Sequence, residues 1–122
     1  MKRIILEMGT GNDLYGEDYT KAACRAVDDA LHHSSLILFR SMGFDYANMD
    51  VRVTIAVQEP KMVDISAVAA KLPRGNPTVQ VVKGGLDMVD DVHDTRSVIA
   101  TAAIEAYLDI DETQWVSRPP RG

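Results

Sequence analysis

Lys2-Arg3-Ile4-Ile5-Leu6-Glu7-Met8-Gly9-Thr10-Gly11-Asn12-Asp13 is the stretch that decides how the remainder of the 122-residue chain is read. The β-branched pair Ile4-Ile5, followed by Leu6, predicts a buried strand over Lys2–Met8 that ends at Gly9. Gly9, Thr10, Gly11, Asn12 and Asp13 then read as a glycine loop, because glycine permits tight turns and close backbone approach. Asp18 is placed to cap a helix from Tyr19 to about His33, with Ala23, Val27, Ala30 and Leu31 on its apolar face and Cys24 at the border.

Further along the chain, Val51, Val53, Ile55 and Val57 alternate with Arg52, Thr54, Ala56 and Gln58, which predicts a strand with one core face, closed by Pro60. Asp64 can cap a short helix carrying Ile65, Val68, Ala69 and Leu72, stopped by Pro73. Thr78–Lys83 reads as a third strand ending at Gly84-Gly85. Asp94 or Thr95 then caps a predicted helix to about Leu108, with Val98, Ala102 and Ala106 as a narrow stripe. Leu36-Ile37-Leu38-Phe39 is apolar and fits either a helix extension or a crossing segment; three strands make a small sheet, so a fourth is expected within 36–48 or 86–92, or else extension of the sheet through a partner. Alternating strands and helices imply an α/β fold: a two-layer sandwich, with a small mixed sheet and helices packed on one face. The length fits a single domain over residues 1–122.

Composition bounds the function. Thirteen Lys and Arg against 18 Asp and Glu give a net charge of −5, which argues against a phosphate-tracking surface and hence against a nucleic-acid partner. A single cysteine, Cys24, allows no intrachain disulfide and fits a cytoplasmic setting. Lys2-Arg3 is followed by only three apolar residues, too few for a signal peptide, and no apolar run reaches the roughly 18 residues of a membrane span. A sheet of few strands leaves edges to cover, so a homo-oligomer is expected, with the tail over 109–122 and its Trp115 docked on a neighbouring subunit.

The chemistry is expected at the two glycine stretches. Backbone N–H groups at Gly9 and Gly11, beside a helix start, could face an anion, with Asn12 adding an amide and Asp13 a carboxylate; the alternative is a plain strand-to-helix turn. The dinucleotide fingerprint fails, because Leu14 stands where its third glycine belongs, and no Gly-Lys-Ser/Thr follows. Lys83-Gly84-Gly85-Leu86-Asp87 echoes the first stretch: a strand, glycine, then an acid two residues on. The candidate catalytic residues are Asp13 as base or orienter, His33 and Lys83; the candidate ligand-binding residues are Gly9, Gly11, Asn12, Gly84, Gly85 and Asp87. His32 and His33 end the helix, where the dipole alone favours them. Asp13, His33 and His93 show no metal-ligand spacing, so no metal site is assigned, and the sequence names no cofactor.

Gly9, Gly11, Asp13 and Gly16 carry a resemblance. The stretch Met1–Gly16 is similar to the opening of an uncharacterised family of small bacterial proteins, also found in plants with a long N-terminal extension, that bears a Gly-x-Gly-x-Asp-x-His-Gly motif. Tyr15 stands where that motif has His, and the similarity continues through Ala22-Ala23-Cys24, Asp29-Ala30, His33-Ser34 and Lys83-Gly84-Gly85. The resemblance implies a site and no particular reaction. Three readings follow: an enzyme on a small polar or anionic metabolite, a non-catalytic ligand-binding or regulatory module, and a purely structural oligomer.

Overall fold

The computed structural model describes residues 2–14, 16–32, 49–72 and 75–109. Its described elements are β1 (Lys2–Asp13), α1 (Tyr19–His32), β2 (Asp50–Val57), α2 (Ile65–Ala69), β3 (Asn76–Lys83), β4 (Leu86–Asp90) and β5 (Thr95–Leu108), with a 3-10 turn at Pro60–Met62. Among the described residues, five strands form one mixed sheet in the order β1-β5-β2-β3, with β4 paired to β5. β2 and β3 are parallel and joined through α2; the pairs made by β5 are all antiparallel.

β5 organises the sheet. Along one edge it pairs with β1, from Lys2↔Leu108 to Asp13↔Val98. Along the other, its C-terminal part pairs with β2, Ala56↔Thr101 to Asp50↔Tyr107, and its N-terminal part with β4, Leu86↔Ile99 to Asp90↔Thr95. The expected helix over this segment is therefore a 14-residue strand. The reason lies in the side chains: Val98, Ala100, Ala102, Ile104, Ala106 and Leu108 are all buried and alternate with partly exposed residues, a period of two. Alanine favours helices intrinsically, but pairing on both edges of the strand overrides that preference.

β1 also departs from expectation. It continues through Gly9 and Gly11 to Asp13 instead of ending at Gly9, so the anticipated loop is strand. The physical cause is α1, which crosses β1 closely. A Cβ on Gly9 would strike the backbone of Ala26 and Ala30, and one on Gly11 the backbone of Ala22, Arg25 and Ala26. Ala22, Ala26 and Ala30 lie one turn apart along α1, and all are fully buried. Across the strand, Gly9 faces Ala102 and Gly11 faces Ala100. A pad of small residues below and a stripe of alanines above let helix and sheet approach.

The expectations for β2, for the caps of α1 and α2 and for an additional strand hold. Val51, Val53, Ile55 and Val57 are buried along β2. The Asp64 carboxylate caps α2, accepting from Ser66 N at 3.0 Å and Ala67 N at 3.3 Å. Asp18 caps α1 by accepting from Lys21 N at 3.0 Å. The expected additional strand is β4, within 86–92; the 36–48 alternative, His33 and the tail with Trp115 lie outside the described residues. Among the described residues, no helix is long and apolar enough to cross a membrane.

Gly11→Ala and Gly9→Ala should each destabilise the fold by about 3 kcal/mol, because the added methyl meets helix backbone that cannot rotate away. Thr10→Ala, at an exposed position whose side chain points to the other face, should stay within about 0.5 kcal/mol. Urea unfolding followed by circular dichroism checks both.

Candidate functional site

The two acidic residues singled out in the sequence arrive in one row. Asp13 at the end of β1 pairs with Val98 of β5, and Asp87 in β4 pairs with the same Val98 from the other side. Paired residues share a face, so both carboxyl groups lie on the face that α1 covers, about 10 Å apart at their Cα atoms. Tyr19, in the first turn of α1, and Arg96, two residues before Val98 on β5, complete the cluster.

The two acids are differently placed. Asp13 is buried, and its Oδ2 accepts the N–H of Asp18 at 3.1 Å, while its Oδ1 lies 3.6 Å from Arg25 Nη1. Gly16 packs so closely on the carboxylate that a Cβ there would strike Oδ2. Asp13 thus ties the β1–α1 connection to the start of the helix. Asp87 is half-buried. Its Oδ2 accepts the Tyr19 hydroxyl at 2.5 Å and stands 3.8 Å from Arg96 Nη1. Its Oδ1 is buried and has no hydrogen-bond partner among the described residues.

Burial pushes the Tyr19 phenol above its ordinary value, and the hydrogen bond to Asp87 adds to the rise, while Arg96 opposes it. The phenol therefore stays protonated and its hydrogen stays on Asp87.

The remaining candidates sit elsewhere. Thr10 N–H points away from β5, toward α1, at 2.9 Å from Asp29 Oδ2. By the alternation of an antiparallel ladder, the N–H groups of Gly9 and Gly11 then face β5. They are held in the sheet and are not offered to an anion. Asn12 is exposed, and its carbonyl accepts from Arg25 Nη1 at 2.6 Å. Lys83 is exposed at the end of β3, opposite Val57 and beyond both β5 and β2 from Asp13, so it is not gathered into the cluster. Gly84 and Gly85 carry the chain from β3 to β4. Gly85 has φ +64°, and a Cβ there would press on the Ile99 carbonyl. The Gln58 side-chain amide donates to the Gly84 and Gly85 carbonyls at 2.9 and 3.3 Å. Tyr19 and Arg96 are not legible as site residues in the sequence. Arg96 shares a face with Val98 only if β5 is a strand.

Residues 3–106 match the family described as conserved hypothetical protein (Lin0512_fam). The chain belongs to this family. That bears out the resemblance carried by Gly9 to Gly16 at the level of an uncharacterised family. The chain is also similar to a crystal structure of an FtsZ-like protein of unknown function from Nostoc punctiforme PCC 73102. The identity is 33% and the TM-score 0.77, covering 89% of this chain and 97% of that one. No curated protein matches the chain.

Tyr19 supplies a test of the cluster. Its value is raised above 10.0 in the folded state, so the stability gained from the neutral phenol is complete below about pH 10. It is lost as pH climbs from there through the folded value. Tyr19→Phe should cost about 1–3 kcal/mol at neutral pH by stripping Asp87 Oδ2 of its hydroxyl donor. The variant should also lose one late-ionising tyrosine from a spectrophotometric alkaline titration, while Tyr107, raised by its hydrogen bond to Glu105, remains.

Proposed function

We propose that the chain is a small-ligand-binding module, with Asp87 receiving a hydrogen-bond donor or cationic group of the ligand. The observation that carries this reading is the buried Oδ1 of Asp87, which has no partner among the described residues. A carboxylate oxygen shut away from water is costly unless a donor or cation meets it. Tyr19 fixes the orientation by holding Oδ2, leaving Oδ1 as the open acceptor. Two carboxylates in one row favour an amine, amidine or polyhydroxyl ligand over an anionic metabolite. Lys83, a cation that could meet an anionic metabolite, lies away from the row. Asp13 is committed to Asp18 and Arg25, which supports a positioning role more than a base. Binding is therefore better supported than turnover.

In this reading the architecture is a two-layer sandwich, with α1 and α2 on one face of the sheet; Cys24 Sγ of α1 lies 3.8 Å from the Ala67 carbonyl of α2. Burial raises the Cys24 thiol above its ordinary value, so it is a poor nucleophile and suits a reducing, cytoplasmic setting. Self-association draws support from the opposite face. Leu6, Met8, Leu86 and Met88 lie there and are each about half exposed or more. Two copies meeting through that face give a homodimer.

Thermal-shift titration with small amines and guanidines should raise the melting temperature of the wild type by several degrees at saturating ligand. Asp87→Asn keeps an acceptor for Tyr19 and should abolish the shift. A wild type unmoved by every probe, or an Asp87→Asn variant that responds equally, overturns the reading.

A further inference from the structure

We infer that Asp29 and Arg25 of α1 guard the free edge of β1, closing it to pairing with β1 of a second copy. Among the described residues β1 has a neighbour on one side only, β5, and it runs for 12 residues. A long edge strand offers a row of outward N–H and C=O groups to any similar strand. Two copies of β1, antiparallel across a two-fold axis, would satisfy each other's groups in a self-complementary interface. Gly9 and Gly11 leave this stretch without side chains on the helix-covered face, and Leu6 and Met8 are exposed on the other, so charge does little to discourage pairing there.

The outward groups at the C-terminal half of β1 are instead met from α1. The Asp29 carboxylate reaches over the edge and accepts the Thr10 N–H at 2.9 Å. Arg25 donates to the Asn12 carbonyl at 2.6 Å while its guanidinium stands 3.6 Å from Asp13. One acid and one base, a helical turn apart, thus take the donor and the acceptor that an incoming strand would need. The reach depends on how near α1 lies to β1. The guard leaves the face with Met8 and Met88 free, so it steers assembly to that face and away from open-ended sheet growth.

The test compares three variants with the wild type, in full-length protein, by analytical ultracentrifugation across a concentration series and by amide hydrogen exchange. Arg25→Ala/Asp29→Ala should add a concentration-dependent species of twice the wild-type mass. Asp29→Ala, which keeps Arg25 on Asp13, should speed exchange of the Thr10 amide at least tenfold at low concentration. Asp29→Asn, which keeps an acceptor oxygen, should restore slow exchange. A folded double variant with wild-type mass at every concentration overturns the inference. Should the double variant not fold, the single variant decides, and unchanged Thr10 exchange in Asp29→Ala overturns it.

Discussion

The approach of α1 to β1 is the constraint from which the rest of the structure follows. Helix and sheet usually stand about 10 Å apart because side chains fill the space between them. Here Gly9 and Gly11 contribute none, and Ala22, Ala26 and Ala30 contribute one methyl each. Such small groups bury little apolar area, at roughly 25 cal/mol per Å2, so the contact itself is not the main source of stability. The larger contribution comes from Val51, Val53, Ile55 and Val57 of β2 with Val98, Ile104 and Leu108 of β5. What the glycines supply is position. They bring the start of α1 to Asp13 and its later turns to the edge of β1.

β5 turns that position into a cluster. A strand of 14 residues is long enough to hold β1 along one edge and both β2 and β4 along the other. The chain must step from β3, outside β2, to β4, beside β5. Gly84 and Gly85 make that step, with Gly84 packed on the Ala56 side chain and Gly85 at positive φ against the Ile99 carbonyl. The step sets Asp87 opposite Val98, in line with Asp13. The echo between the two glycine stretches thus has different mechanical causes, helix packing in one and strand transfer in the other, yet both deliver an acid to the same row.

How far the sequence discloses this depends on whether a segment's pattern has one solution. β2 alternates cleanly between aliphatic and polar residues, so its period is unambiguous. Asp18 and Asp64 are legible as caps because the capping bond is local. β5 is not legible, since Val98, Ala102 and Ala106 satisfy a helical spacing as readily as every second residue satisfies a strand. Only its pairing on both edges decides. Gly9 and Gly11 mislead for a related reason. The cause of their missing side chains is a helix up to 21 residues downstream of Gly9, and nothing adjacent to them announces it. Asp87 is visible through its glycine neighbours, whereas Tyr19 resembles one more apolar residue on a helix face.

The placement of Gly9, Gly11, Asp13 and Gly16 also changes where function should be sought. All four have mechanical roles. The two strand glycines admit the helix, Asp13 binds the Asp18 N–H, and Gly16 leaves room for the Asp13 carboxylate. At these four motif positions packing alone accounts for the residue present. The two acids of the row then differ in one decisive respect. Asp13 has a backbone donor on one oxygen and a guanidinium near the other, so its charge is met within the fold. Asp87 has the Tyr19 hydroxyl and the more distant Arg96 on the same oxygen, and Oδ1 is left over. Two groups committed to one oxygen of the carboxylate, and the other oxygen buried with no donor among the described residues, leave at Asp87 a demand that Asp13 does not have.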